Sequence, residues 1–222
     1  MPRIFQPPHP AHDRTVPLPK VPAETDLSYD GAWSRENAKR LEVVDAALPE
    51  NDELLGLLHE NLRLAEYNRD GLEVFVAIAH LFRQNLEMLK SLARIDAALV
   101  SAQTAARETK DKDAVAAVDQ ALEIARRIRG ERNQALREAT ATWYKTWYPR
   151  VSEANGRRFL HELDDVKDHL PDRTVDMSYL VYDELLLPLG DWYDRTQSAR
   201  NRYAEAHRLP LRNEPLDWNG LE

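Results

Sequence analysis

His161, Asp165 and His169 are spaced by four residues each, so on a helix they stack along one side, with Glu162, Asp164 and Asp168 close by. Two imidazoles and a carboxylate can hold zinc or another divalent ion and leave a position open for water. Glu162 or Asp168 could then act as base in a small metal-dependent hydrolase of phosphoesters or esters. The spacing is not the H-E-x-x-H of metalloproteases. A helical wheel at about 100° per residue puts Phe159, Leu163, Val166 and Leu170 on one side and the centre of the trio about 130° away, on the wetter face. The competing reading is a solvated charged face that needs no metal or other cofactor.

A second group is aromatic: Trp143, Tyr144, Trp147 and Tyr148, with Trp192 and Tyr193 later in the chain. The C–H faces of a pyranose stack on such rings while its hydroxyls seek polar partners, so these residues could bind carbohydrate. Trp143 and Trp147 continue the seam of Leu136 and Ala139 and read as core. Tyr144, Tyr148, Trp192 and Tyr193 are left as the candidate binding residues. A third group is acidic, Asp183 and Glu184 followed by Asp191 and Asp194. Glycoside cleavage needs two carboxylates flanking a cleft about 5 to 9 Å apart. Neighbours on one helix diverge, so surface charge and helix-end capping explain these residues better.

The elements that would carry these groups are helices. From Glu50 to Glu108 apolar residues return at three- and four-residue intervals, and Leu72, Phe75, Ala79, Phe82, Leu86, Leu89 and Ala93 trace one stripe. A single helix over this stretch would be roughly 88 Å long, which only other long helices could cover. Asp70 and Gly71 mark its weak point, but the stripe keeps phase and predicts continuity. A first helix is expected from Ser34, as its cap, to just before Pro49, with Asn51 or Asp52 capping the next. After a charged turn, a helix from about 113 to 148 keeps heptad-like spacing through Val118, Leu122, Ala125, Leu136 and Ala139, with Arg132 the polar exception on its seam. It reads as the second arm of an antiparallel hairpin spanning about 50–148.

Two more helices are expected at 151–169 and from Asp176 towards His207, the latter bent or broken at Pro188 and Gly190. No strand is predicted, so the fold class is all-α: a bundle over 28–208 between an extended arm at 1–27 and an extended tail at 209–222. The arm holds seven of the thirteen prolines. It is either disordered or seated in a groove of the bundle through Ile4, Phe5, Val16, Leu18 and Val21.

Composition removes other classes. Thirty-eight acidic residues against thirty basic ones, interspersed, leave a net charge of −8 and no basic stripe for a nucleic acid. There is no cysteine for disulfides, thiolate metal sites or thiol nucleophiles, and the seven glycines are too scattered for a phosphate loop. No segment reads as a signal peptide or a membrane span, so a soluble, cytoplasmic chain is expected unless it is a fragment of an exported protein.

The run from Trp143 to Arg208 carries a resemblance, most clearly in Trp147-Tyr148-Pro149-Arg150-Val151, Asn155-Gly156-Arg157-Arg158-Phe159-Leu160-His161-Glu162-Leu163-Asp164-Asp165 and Leu185-Leu186-Leu187-Pro188-Leu189-Gly190. It resembles the C-terminal helical region of bacterial β-N-acetylhexosaminidase-like proteins of the family 20 glycoside hydrolase type, a similarity that extends back to about Tyr29. Such proteins are expected to carry a (β/α)₈ barrel whose adjacent Asp and Glu cleave glycosides with help from the substrate's acetamido group. This chain has no alternating strand and helix pattern and no room for that barrel, so the catalytic pair does not transfer to Asp183 and Glu184. The resemblance implies an accessory helical part standing alone.

Two functions follow from these readings. One is a non-catalytic helical module that scaffolds or binds, to a carbohydrate or to a partner chain. The other is the His161, Asp165 and His169 hydrolase. Long amphipathic helices with leftover apolar edges also point to a homodimer or a partner chain across the helices.

Overall fold

The structure, a computed structural model, describes residues 17–146, 151–160 and 187–216. The fold is an all-α bundle. Five helices are described: α1 (Trp33–Glu36), α2 (Ala38–Leu64), α3 (Arg69–Arg107), α4 (Asp111–Thr146) and α5 (Leu187–Ala206). A two-stranded hairpin, β1 (Val151–Ala154) and β2 (Arg157–Leu160), follows α4.

The antiparallel pair α3 and α4 is the backbone of the bundle. Leu92, Ile95, Leu99 and Ala102 of α3 meet Ala114, Val118, Ala121, Leu122 and Ala125 of α4 in one buried cluster. The stripe of small and large residues at helical spacing therefore does what its period implies. Between the helices the chain turns on Thr109, whose φ is 60°. Thr109 N donates to Ala106 O and Lys110 N to Ala105 O, at 3.1 and 2.9 Å, which closes α3 with a Schellman motif. Arg208, at φ 56°, closes α5 the same way, with Leu209 N bonded to Ala204 O at 2.8 Å.

Three expectations about boundaries are corrected. The long stretch is not one helix: it divides at residues 65–68, where Asn68 takes φ 56° and α3 begins at Arg69 without a side-chain cap. Pro49 does not end a helix but lies inside α2. A proline there costs about 3 kcal/mol through a lost hydrogen bond and a ring clash. Burial of Val44 and Leu48 before it, packed with Leu86 of α3, and of Leu55 after it carries the helix through. Asn51 and Asp52 are accordingly helix-interior, and Ser34 is no cap but donates its amide and hydroxyl to Asp96 at 3.1 and 2.6 Å.

The helix expected at 151–169 gives way over its first ten residues to the β-hairpin, with Ala154 paired to Arg157 across Asn155 and Gly156. Both turn residues have positive φ, 54° and 69°, the backbone a type I′ turn needs. Pro188 falls in the first turn of α5, where its missing N–H is no loss.

Both extended segments are straps across the α3–α4–α5 end. Of the expected arm, the described residues 17–27 pack against the bundle: Leu18 and Val21 touch the core, and Leu27 is fully buried. Trp33 Nε1 donates to Pro17 O at 2.5 Å and Trp192 Nε1 to Pro19 O at 2.6 Å. The tail is held by Arg200, which reaches Pro210 O at 2.5 Å while its guanidinium grips Asp119 of α4 at 3.0 and 2.9 Å.

Candidate functional site

The residues singled out from the sequence have separate fates. His161, Glu162, Asp165, Asp168 and His169 lie outside the described residues, as do Tyr148, Asp183 and Glu184. Tyr144 stands in the last turn of α4. Trp192 and Tyr193 are corrected as binding residues, because they are 4% and 0% exposed and belong to the main core. Their spacing put them on α5's inner face, and a ring with no exposed face cannot stack on a sugar. Asp191 and Asp194 stay on the surface of α5, Asp191 facing Arg195 at 3.4 Å. Among the described residues no group of three or more His, Asp or Glu is placed to hold a metal.

Most of the buried polar groups are struts. Asp96, 3% exposed, accepts from the Tyr29 hydroxyl and from both donors of Ser34, which ties the strap and α1 to α3. Burial, reinforced by the bond to Asp96, pushes the Tyr29 hydroxyl well above its usual range. Arg132 keeps its place on the α4 seam, 4% exposed, by donating to Gln84 and Asn85 of α3 at 3.0 and 2.7 Å. Loss of hydration pulls its pKa below the ordinary arginine value.

A groove of about 710 Å³ runs between α3 and α4, with Arg83, Glu87, Arg127 and Glu131 on its walls. On its α3 wall Arg83 meets Asp52 at 2.7 Å and Glu87 at 3.3 Å, and His80 lies 3.4 Å from Glu138 of α4. Open and mixed in sign, it singles out no ligand chemistry.

The unbalanced feature is apolar. Of the ten large hydrophobic side chains exposed among the described residues, eight lie between Val43 and Phe82: Val43, Leu54, Leu57 and Leu64 of α2, Tyr67 of the connection, and Phe75, Ile78 and Phe82 of α3. On α2 the positions 43, 47, 50, 54, 57, 61 and 64 repeat at alternating steps of four and three, a heptad stripe beside the one that packs on α3. On α3 the positions 75, 78, 82, 85 and 89 do the same.

Asp45 pairs with Lys90 at 2.9 Å and Asp52 with Arg83 at 2.7 Å, so one step up α2 is one step down α3. That register sets Leu57 level with Ile78, and Leu54 level with the residue before Phe82. The two stripes therefore run side by side as one surface about 30 Å long. At one end it forms an apolar hollow between Val43 and Ala47 of α2 and Phe82, Leu86 and Leu89 of α3.

Reading the sequence for one stripe per helix missed this face. The signal was present in α2, whose apolar positions fill two adjacent heptad seams where one suffices for a surface helix. A search of family models, of curated proteins and of solved structures returns no match to this chain.

Proposed function

We propose that this chain is a non-catalytic helical accessory or scaffold module that works by docking to another protein surface. The observation that carries the reading is the α2–α3 face. Seven large apolar side chains along two adjoining stripes, with Tyr67 exposed on the connection between their helices, are more than a monomer's surface ordinarily leaves in water, and bands of this kind mark interaction sites. The rest of the architecture suits the role, because a long rigid hairpin strapped at one end presents its other end at a fixed angle. A protein partner fits better than a carbohydrate, since aliphatic side chains and phenylalanine dominate the band and Trp33 and Trp192 are buried. The resemblance to the C-terminal region of hexosaminidase-like proteins supports the same reading, an accessory part rather than the chemistry.

Metal analysis of the purified chain, followed by assay on phosphoester, ester and hexosaminide substrates, tests this. The expected result is no stoichiometric metal and no turnover above background. Hydrolysis that requires a bound divalent ion and disappears in His161→Ala would replace the module with the His161, Asp165 and His169 enzyme.

A further inference from the structure

We propose that the occupant of the α2–α3 face is a second copy of this chain, packed about a two-fold axis so that α2 runs antiparallel to α2 of its mate. This rests on the docking role proposed above and gives it a partner. The area is sufficient. Half-exposed large side chains offer on the order of 100 Å² each. The seven on the two stripes offer on the order of 700 Å², close to what each partner buries in a standard-sized interface.

The pattern of the stripe is also self-complementary. Its central leucines, Leu54 and Leu57, are bracketed by two polar positions, Glu50 before them and Asn61 after them. A two-fold axis passing level with the Leu55–Gly56 bond brings Leu54 of one copy opposite Leu57 of the other, and Glu50 opposite Asn61. The Asn61 amide nitrogen spends one hydrogen on Leu57 O at 2.7 Å, which leaves its second for the facing carboxylate. Through the α2–α3 register, the same operation sets Ile78 beside Phe82 of the mate.

Each copy thus supplies an apolar centre with one donor and one acceptor at equal distances from it. An isologous contact uses such a pair twice, once on each side of the axis, and the pair penalises a slip along the helix. The opposite choice of axis, parallel to the helices, would set Asn61 against the Phe75 end of α3 and leave its polar groups without a match.

Sedimentation or light scattering across a micromolar concentration range tests the inference. The expected result is a reversible dimer whose dissociation constant rises at least a hundredfold in Leu57→Glu and in Ile78→Glu. Both side chains are more than half exposed, so the variants should keep the helical circular dichroism of the parent. Register is tested at the polar pair. Asn61→Lys should tighten the dimer several-fold by facing Glu50, and Asn61→Asp should weaken it by a similar factor. A chain that stays monomeric throughout the range overturns the proposal, as does a dimer indifferent to Leu57→Glu. Either result leaves the docking module standing with a different partner, whereas metal-dependent hydrolysis would remove that module without touching the dimer.

Discussion

Where α3 turns into α4, α5, α1 and both extended segments lie against the hairpin, and twenty-two buried residues among those described form one cluster. Around α2 and the first half of α3, the satellite cluster is three residues, Val44, Leu48 and Leu86; α4 still flanks α3 there, but among the described residues α2 has only α3 beside it along most of its length. What differs is the number of neighbours each helix has. A helix with one partner can bury one seam, and α2 carries two.

Core truncation should show the contrast at its largest. Leu99 is completely buried in the closed end, and Leu99→Ala should cost towards the upper end of the roughly 2–5 kcal/mol range for such changes. Leu55 is 8% exposed in the α2 seam, and Leu55→Ala should fall at the lower end of that range. Urea unfolding of both variants checks it, and equal costs would mean that the two ends are equally packed.

The closed end should also fail first in alkali. Tyr203, 3% exposed, donates to Asp111 at 2.6 Å, and burial together with that bond pushes its pKa up to about 12 from the usual 10.0. The fold holds the hydroxyl proton more tightly than the unfolded chain does. Its contribution is therefore fully present below about pH 10 and is lost as the pH rises from there to about 12. Stability measured over that window should fall more steeply in the parent than in Tyr203→Phe. Parallel slopes would show that the hydroxyl is not held neutral.

Arg132 joins the two regions. Arg132→Ala leaves the Gln84 and Asn85 oxygens without their donor and should cost about 1–3 kcal/mol. Arg132→Met, which fills the space without a charge, should lose less, since a buried ion that must give up its hydration contributes little net stability. Denaturation of the pair separates packing from polarity on the α4 seam.

The unequal legibility of the chain has the same physical origin. The α3–α4 hairpin could be read because both its partners follow one period, and even the lone arginine on the seam could be placed. Breaks decided by backbone conformation could not. Asn68, Thr109 and Arg208 all adopt positive φ where glycine would have announced a turn. Pro49, the plainest stop signal in that part of the sequence, is overridden by burial on either side. The hairpin after α4 did carry its mark in Asn155-Gly156, but a helical reading of the histidine spacing ran across it. Burial of Trp192 depended on a strap 173 residues distant, whose proline carbonyl accepts the indole proton.

The smallest expected effect bears most directly on the open face. Phe75 is 60% exposed on α3, and serine and phenylalanine have similar helix propensities. In dilute solution Phe75→Ser should therefore change unfolding free energy by no more than about 0.5 kcal/mol, the usual range for a surface site. An exposed ring contributes little to a monomer but a good deal to an interface, so any penalty should grow with protein concentration. Unfolding curves at two concentrations make that measurement. A loss well above 1 kcal/mol that is the same in both would mean that the ring is packed within the single chain. The apolar band would then be core, and the two ends of the molecule would differ in degree only.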